Sequence, residues 1–250
     1  MTEDLIREGE RLDKTGFGRI QVIQRDGLGY GVDAVLLAGF AAGETGAKPI
    51  WDGAMIADLG SGSGIVSFVL MHKLPNSAAV GIERRVDAAD RARRACTING
   101  LDQRVRFARE DIKDYIPEFK FDAVVTNPPY FKRNAAIPNS GDDKFIARHE
   151  TTAELADFLR IASSMLEKGG DFYMVHRPSR LPDIITEMRK AEIEPKELQL
   201  VVPHPGEAAN ILLIHGVKGA GAELRMLPEL AIHDKNGNFT GMIQRIYERV

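Results

Sequence analysis

The sequence predicts an α/β protein built on one sheet of about seven strands, mostly parallel with an antiparallel edge strand, over residues 50–217. Three observations predict it. From Met55 onward, short runs rich in Val and Ile alternate with segments of helical apolar spacing. The first of those runs ends in a turn with Gly60, Gly62 and Gly64, immediately before a helical segment. The run 121–126 stops abruptly at Asn127-Pro128-Pro129-Tyr130, where two prolines without backbone N–H groups cannot continue a ladder.

Residues 1–19 carry no strong period, and 18–24, with Val22 and Ile23, reads as a short strand. Asp33 stands before the apolar run 34–38, where it either caps a short helix or faces a ligand. Residues 1–50 are expected to form an N-terminal extension packing on a main domain of 51–250. That domain opens with a strand at 55–59 and a helix at 65–73, then a strand at 79–83 and a helix at 87–99 stopped by Gly100. Strands follow at 105–108 and 121–126. Residues 131–150 have no apolar period, and a loop this long directly after the Pro-Pro turn reads as substrate-facing. A helix at 152–167 stopped by Gly169-Gly170, a strand at 171–176 and a helix at 179–190 come next, with Pro182 tolerated in a first turn. Apolar runs at 197–202 and 210–217, joined by Pro203-His204-Pro205-Gly206-Glu207, pair antiparallel at the sheet edge. The tail reads as extended chain at 224–232, a turn at 235–237 and a short helix at 240–249.

Composition excludes several classes. With 250 residues, 44% hydrophobic and 28% charged, the chain can bury a substantial core. Its longest apolar run, 34–42, is far below the roughly 18 residues of a membrane span, and the acidic start is no signal or transit peptide. The single cysteine, Cys96, excludes an internal disulfide and reads as a packing residue; the expected location is cytoplasmic. His72, His149, His176, His204, His215 and His233 lack metal-ligand spacing, so no metal is expected. Lone Trp51 reads as packing. A formal net charge of −3 leaves room for a local basic patch. Arg91, Arg93 and Arg94 read as a solvated helix face rather than as such a patch, whereas Lys132 and Arg133, directly after the Pro-Pro turn, are better placed for phosphate.

The chemistry sits at the strand ends. Glycines at alternating positions between a strand and a helix N-terminus let the backbone pass close to a ligand and offer it N–H groups. Glu83 ends the next strand, where a carboxylate can accept both hydroxyls of a ribose; Arg84 follows it. Together they indicate a nucleoside-containing cofactor. A dinucleotide site shows G-x-G-x-x-G, whereas this turn is G-x-G-x-G preceded by Asp58. An acidic group there repels pyrophosphate and suits the ammonium of a methionine moiety, so S-adenosylmethionine fits better than NAD. Asp111, ending the third strand, is placed to accept from the adenine amino group beside apolar Ile112, or else caps the segment after it. A polar-Pro-Pro-aromatic turn at a strand's carboxyl end fixes an amide and a ring in one geometry, which suits a grip on substrate.

The order Asp58-Leu-Gly60-Ser61-Gly62-Ser-Gly64, Glu83, Asp111, Asn127-Pro-Pro-Tyr130 resembles the class I S-adenosylmethionine-dependent methyltransferases, and its last motif is similar to that of enzymes methylating a planar nitrogen. Tyr30-Gly-Val-Asp33-Ala-Val-Leu-Leu37, Ala147-Arg148-His149-Glu150, His204-Pro205, Leu227-Pro-Glu-Leu230 and Asn238-Phe-Thr240 resemble, more narrowly, bacterial tRNA (adenine-N6) methyltransferases, which act on the adenine next to the anticodon of a valine tRNA. The resemblance implies a Rossmann-like seven-stranded sheet, S-adenosylmethionine bound by Asp58, Gly60, Ser61, Gly62, Gly64, Glu83, Arg84, Asp111, Ile112 and Asn127, and a tRNA partner; a monomer and a homodimer both fit the sequence. Transfer would be carried by Asn127, Pro128, Pro129 and Tyr130: the Asn127 side-chain oxygen and the Pro128 carbonyl would each accept one N–H of the adenine amine, aiming its lone pair. Tyr130 and Phe131 would stack on the extruded base, with Lys132 and Arg133 on phosphate. Arg148 is a substrate contact by family analogy. The rival acceptors for the same turn are a glutamine amide of a release factor and a ribosomal-RNA base. An NAD-dependent oxidoreductase or a non-catalytic nucleotide-binding module is the rival from another class.

Overall fold

The computed structural model describes residues 3–25, 30–128 and 155–248. It opens with an antiparallel hairpin, β1 (Glu10–Lys14) on β2 (Gln21–Arg25), separate from the main sheet. Helix α1 (Val32–Ala41) then leads to β3 (Met55–Leu59), the middle strand, which is parallel to β4 (Ala78–Ile82) on one side and β6 (Phe121–Thr126) on the other. Beyond β4 lies β5 (Val105–Ala108); beyond β6 come β7 (Leu166–His176), β9 (Ile211–Lys218) and β8 (Ile193–Val202) in that order. The two-residue strands β10 (Arg225–Met226) and β11 (Leu230–Ala231) both run along β8. Strand β9 is antiparallel to β7 and to β8, and the other pairings in this sheet are parallel. The expected antiparallel hairpin is therefore present, with its reversed strand one place in from β8.

Alternation along the strands divides the core in two. Ile56, Ala123, Val125, Tyr173, Val175 and Leu213 face α1, α2 (Ile65–Lys73), α3 (Val86–Ile98) and the short α6 (Gly241–Ile246). Ala57, Leu59, Val124, Phe172, Met174 and Leu212 face the other way, against α4 (Leu155–Met165) and α5 (Leu181–Lys190). Central strands buried on both faces read as continuous apolar runs, which is why the bounds of β3 and β6 were predictable to the residue, while β4 lies one residue earlier than expected and β7 begins five residues earlier.

Five expectations change. Strand β1 carries one apolar residue, Leu12, so it lacked a period; it is held by tertiary contacts, with Arg94 gripping Glu10 at 2.6 and 2.7 Å, and Asn99 bonded to both polar groups of the Gln21 backbone. By the same token Arg91 and Arg94 are not part of a solvated face, since Arg91 is buried against Asp87 and Arg94 also reaches Asp90; Arg93 is exposed as expected while donating to the Phe107 carbonyl. Asp33 does not cap α1, since Gly31 occupies the cap and Asp33 accepts from Ala34 N–H inside the first turn. Trp51 is 58% exposed at the amino-terminal end of the sheet, its ring lying against Gly53 instead of the core. Gly169 and Gly170 lie within β7 because Leu166 already pairs with Phe121, and the register slips between Phe121 and Ala123; a side chain at Gly170 would meet the Asp122 carbonyl.

A charged cluster ties β7, β8 and β9 to the loop before β3. Buried His215 lies between Asp171 (2.8 Å) and Glu197 (3.3 Å), Lys48 pairs with Asp171 at 2.7 Å, and Arg225 pairs with Glu197.

Candidate functional site at the strand ends

Cα register places Leu59 beside both Ile82 and Thr126, and Ile82 beside Ala108. The residues that follow each strand therefore converge on one edge: Gly60 after β3, Glu83 after β4, Asp111 after β5 and Asn127 after β6. Ligands of open α/β sheets bind at this carboxyl edge. Thr126 Oγ1 donates to the Leu59 carbonyl at 2.9 Å, fastening the strand before Asn127 to the one before Gly60.

The glycine turn is shaped by positive φ at Gly60 (71°), Gly62 (55°) and Gly64 (82°), conformations that side chains disfavour. Each has a different surrounding. A Cβ on Gly64 would strike the Phe107 and Phe68 rings at 2.7 and 2.9 Å, so this glycine serves helix packing. A Cβ on Gly62 would meet nothing nearer than the Gly60 carbonyl at 4.0 Å, so there the backbone borders open space. At Gly60 the neighbour is the Phe158 ring of α4, 3.5 Å away.

The carboxylates are held apart by chemistry. Glu83 is buried and bridges the turn to α3: Oε2 accepts from Gly62 N–H at 2.9 Å and Oε1 from Arg85 N–H at 2.8 Å. Each oxygen keeps a further lone pair for a hydroxyl. Asp58 is 2% exposed, accepts from Ser67 Oγ at 2.7 Å, and is pushed up to about 6 by burial, against the Ser67 hydrogen bond and with the nearby Glu83 charge adding to the rise. Ser61 Oγ is buried without a hydrogen-bond partner. Asp111 accepts from Lys113 N–H at 3.0 Å, opening the turn after β5, and its other oxygen lies 3.8 Å from Arg84 Nη1; Ile112 is buried in the core below. A buried carboxylate with spare lone pairs, an unpartnered buried hydroxyl and open space over Gly62 together fit a ribose-bearing cofactor.

Asn127 is half-buried and Pro128 buried at the end of β6. Pro129, Tyr130, Phe131, Lys132, Arg133 and Arg148, with the 131–150 loop and His149, lie outside the described residues. Three residues at the site were not anticipated: Ser67, Thr126 and Phe158. Ser67 is the one polar residue in the apolar first turns of α2, a signal available in the sequence; Thr126 and Phe158 look like ordinary strand and helix residues until their partners are known. Cys96 packs as expected, 3% exposed with its thiol raised to about 12 by burial. Among the described residues no group of three or more His, Cys, Asp or Glu is placed to hold a metal ion, and no helix is long and apolar enough to cross a membrane.

A sheet of this order, with a glycine turn, an acidic residue after the second strand and an Asn-Pro pair after the fourth, defines a Rossmann-like methyltransferase architecture. Residues 47–191, more than half of the chain, match the model of the methyltransferase small domain, and the chain belongs to that family. Among curated relatives, the tRNA1(Val) (adenine(37)-N6)-methyltransferase of Porphyromonas gingivalis strain W83 is 32% identical over 159 residues, covering 62% of this chain and 60% of the relative. The match thus spans less than two thirds of that relative's length. The protein of the same name from Bacteroides fragilis strain YCH46 is 26% identical over 223 residues, 87% of this chain and 90% of the relative. Among solved structures, one described as a predicted O-methyltransferase from Agrobacterium tumefaciens superposes with a TM-score of 0.69 over 86% of this chain and 95% of its own, at 24% identity. The Thermus thermophilus 16S rRNA N2 G1207 methyltransferase does so with a TM-score of 0.58, over 84% of this chain and 50% of its own, at 18% identity. Both likenesses concern the fold.

Proposed function

We propose that this protein is an S-adenosylmethionine-dependent methyltransferase that methylates the exocyclic N6 amine of an adenine in tRNA. The observation that carries the reading is the placement of Asn127 at the end of β6, one strand from the glycine turn and bonded to it through Thr126 and Leu59. The names of the two relatives supply the acceptor: both are tRNA adenine-N6 methyltransferases. Glu83 takes the ribose hydroxyls, Asp58 faces the methionine ammonium, and Gly60, Ser61, Gly62 and Gly64 line the chain between them. Arg84, Asp111 and Ile112 border the adenine. When bound, S-adenosylmethionine supplies an electrophilic sulfonium methyl, so no strong general base is required of the protein.

The remaining work is positional. An adenine amine is a poor nucleophile because its lone pair is delocalised into the ring. The Asn127 side-chain oxygen and the Pro128 carbonyl each accept one of its N–H groups, which holds the nitrogen with its lone pair toward the donor. Placement of this kind can remove about 7–11 kcal/mol of barrier. Pro129 keeps the turn rigid, Tyr130 and Phe131 stack on the extruded base, and Lys132, Arg133 and Arg148 contact the RNA. Residues 1–50 serve as an N-terminal extension to a catalytic domain of 51–250, and the protein acts in the cytoplasm, on tRNA.

The test is transfer of labelled methyl from S-adenosylmethionine to bulk unmodified tRNA and, separately, to purified release factor, with mass analysis of the nucleosides. N6-methyladenosine is expected. Label in protein and none in RNA, or a methylated guanine, overturns the reading.

A further inference from the structure

A column of five rings crosses the molecule from its N-terminal segment to the loop after β8. Phe17 stacks on Tyr247 (centroids 5.3 Å apart), Tyr247 on Phe239 (5.7 Å), Phe239 on His233 (5.2 Å) and His233 on His204 (5.3 Å), with no interplanar angle above 29°. Exposure rises along it. Phe17 is fully buried, Tyr247 nearly so, and the side chain of His204 is 42% exposed. One face of the His204 ring is covered by His233, and its Nδ1 is buried, 3.2 Å from Glu207 Oε1 without hydrogen-bond alignment. Solvent therefore reaches the rest of the ring. His233 Nδ1 is likewise buried without a partner. A buried imidazole nitrogen without a partner, as at His233, costs stability that an aliphatic side chain would not, so packing alone does not explain a histidine there.

Position gives the column a purpose. Strand β8 is parallel to β6, so His204, two residues past β8, lies on the same carboxyl edge as Asn127. The order β6-β7-β9-β8 separates them by three strand spacings, about 14 Å. A stacked strand advances about 3.4 Å per nucleotide, so this gap is about four stacked nucleotides, fewer where bases are splayed. Exposed Arg177, directly after β7, stands between the two. Single-stranded loops of RNA are read by stacking their unpaired bases on aromatic rings, histidine included, and a ring already fixed by a column loses little entropy on contact.

We infer that His204 is a stacking platform for an unpaired base of the substrate RNA, a few nucleotides from the one presented to Asn127, with Arg177 beneath the intervening phosphates. The inference rests on the proposed RNA substrate. It is tested with full-length His204→Ala and His204→Phe, assayed on bulk unmodified tRNA for kcat and for KM toward tRNA and toward S-adenosylmethionine. Loss of one base stack raises the KM for tRNA about 5- to 150-fold, with kcat and the cofactor KM within about twofold by the same reasoning. His204→Phe, which keeps the ring, restores most of the loss and also decides the matter should His204→Ala fold poorly. An unchanged tRNA KM in His204→Ala, or equal impairment of both variants, overturns the platform and leaves the proposed function standing. A wild-type protein that neither binds nor methylates RNA overturns both.

Discussion

Thr126 and Leu59 are register partners whose side-chain and backbone oxygens are 2.9 Å apart, Thr126 Oγ1 donating to the Leu59 carbonyl. The bond joins the last residue before Asn127 to the last residue before Gly60, so it fastens the proposed acceptor turn to the glycine turn. Thr126→Val keeps the shape and removes the donor. The expected cost is about 1 kcal/mol of stability, seen as a melting temperature lower by about 2–4 °C. The expected kinetic effect is larger, since small misplacement of reacting groups is costly: kcat falls about tenfold or more. Cofactor affinity, measured by calorimetry, changes little; an equal loss in both would mean that the bond serves the glycine turn alone.

Asn127→Ala should abolish transfer, with kcat lower by at least about 100-fold, while cofactor binding stays within a few-fold. Single-turnover assays beside a thermal-shift titration with S-adenosylhomocysteine separate the two. Loss of binding as large as the loss of turnover would contradict the division of labour between the two strand ends.

Asp58 gives the site a pH limb. Its pKa is raised from 3.8 to about 6 by burial, so in the cofactor-free protein the ionised form is the disfavoured one, and folding stability from this group falls as pH rises through that window. Binding of a cationic ligand runs the opposite way, because it needs the ionised carboxylate. Cofactor affinity is expected to drop as pH falls below about 6. Asp58→Asn, which can still pair with Ser67, should weaken binding at neutral pH and flatten that limb. Titrations from pH 5 to 8 on both proteins check it.

Arg94 is the rivet of the N-terminal hairpin, with Glu10, Asp90 and the Leu5 carbonyl on one guanidinium. Its side chain is 11% exposed and that of Glu10 9%, so truncation strands a partly buried carboxylate. Arg94→Ala should cost about 2 kcal/mol, below the range for fully buried pairs. Limited proteolysis should then cut first within residues 3–25. A hairpin that stays protected would show that the hydrophobic contacts of Phe17, Val22 and Ile23 suffice without it.

Glu197 predicts an acid limit. Burial works to raise its pKa, but the Lys48 N–H, Arg225 and His215 outweigh it and hold it below the ordinary 4.5. A depressed carboxylate contributes stability that is present above its unfolded value and is lost as pH falls through the folded one. Urea midpoints between pH 3 and 6 should drop more steeply for the wild type than for Glu197→Gln.

The strand ends were legible because each carries a residue that regular structure cannot use: glycine with positive φ at 60, 62 and 64, a carboxylate at 83, prolines at 128 and 129. Buried parallel strands are legible for the opposite reason, since both faces demand apolar residues. What escaped depends on distant partners. Strand β1 is polar and is held by Arg94 on Glu10 and by its partner β2, which Asn99 fastens at Gln21, each grip coming from some eighty residues away; Arg91 looked like a solvated charge until Asp87 and the fold enclosed it. Asp33 showed a cap's chemistry two positions too late: the cap falls at Gly31, where a side chain would strike the Asp33 carboxylate at 2.2 Å. Thr126 and Phe158 act through geometry that no local pattern encodes.

The stacking of Phe17 on Tyr247 and the hydrogen bond between His72 Nε2 and the Glu248 carboxylate join segments up to 230 residues apart. At synthesis rates of about 5–20 residues per second, the ring at position 17 waits roughly 10–50 s for its cover to leave the ribosome. Until then the face of Phe17 that Tyr247 covers is without a lid. The turn that carries Tyr247 is in this sense the step that closes the segment around Phe17, and substitutions at Phe239 or Tyr247 should depress the yield of folded protein during synthesis more than they depress the stability of what has already folded.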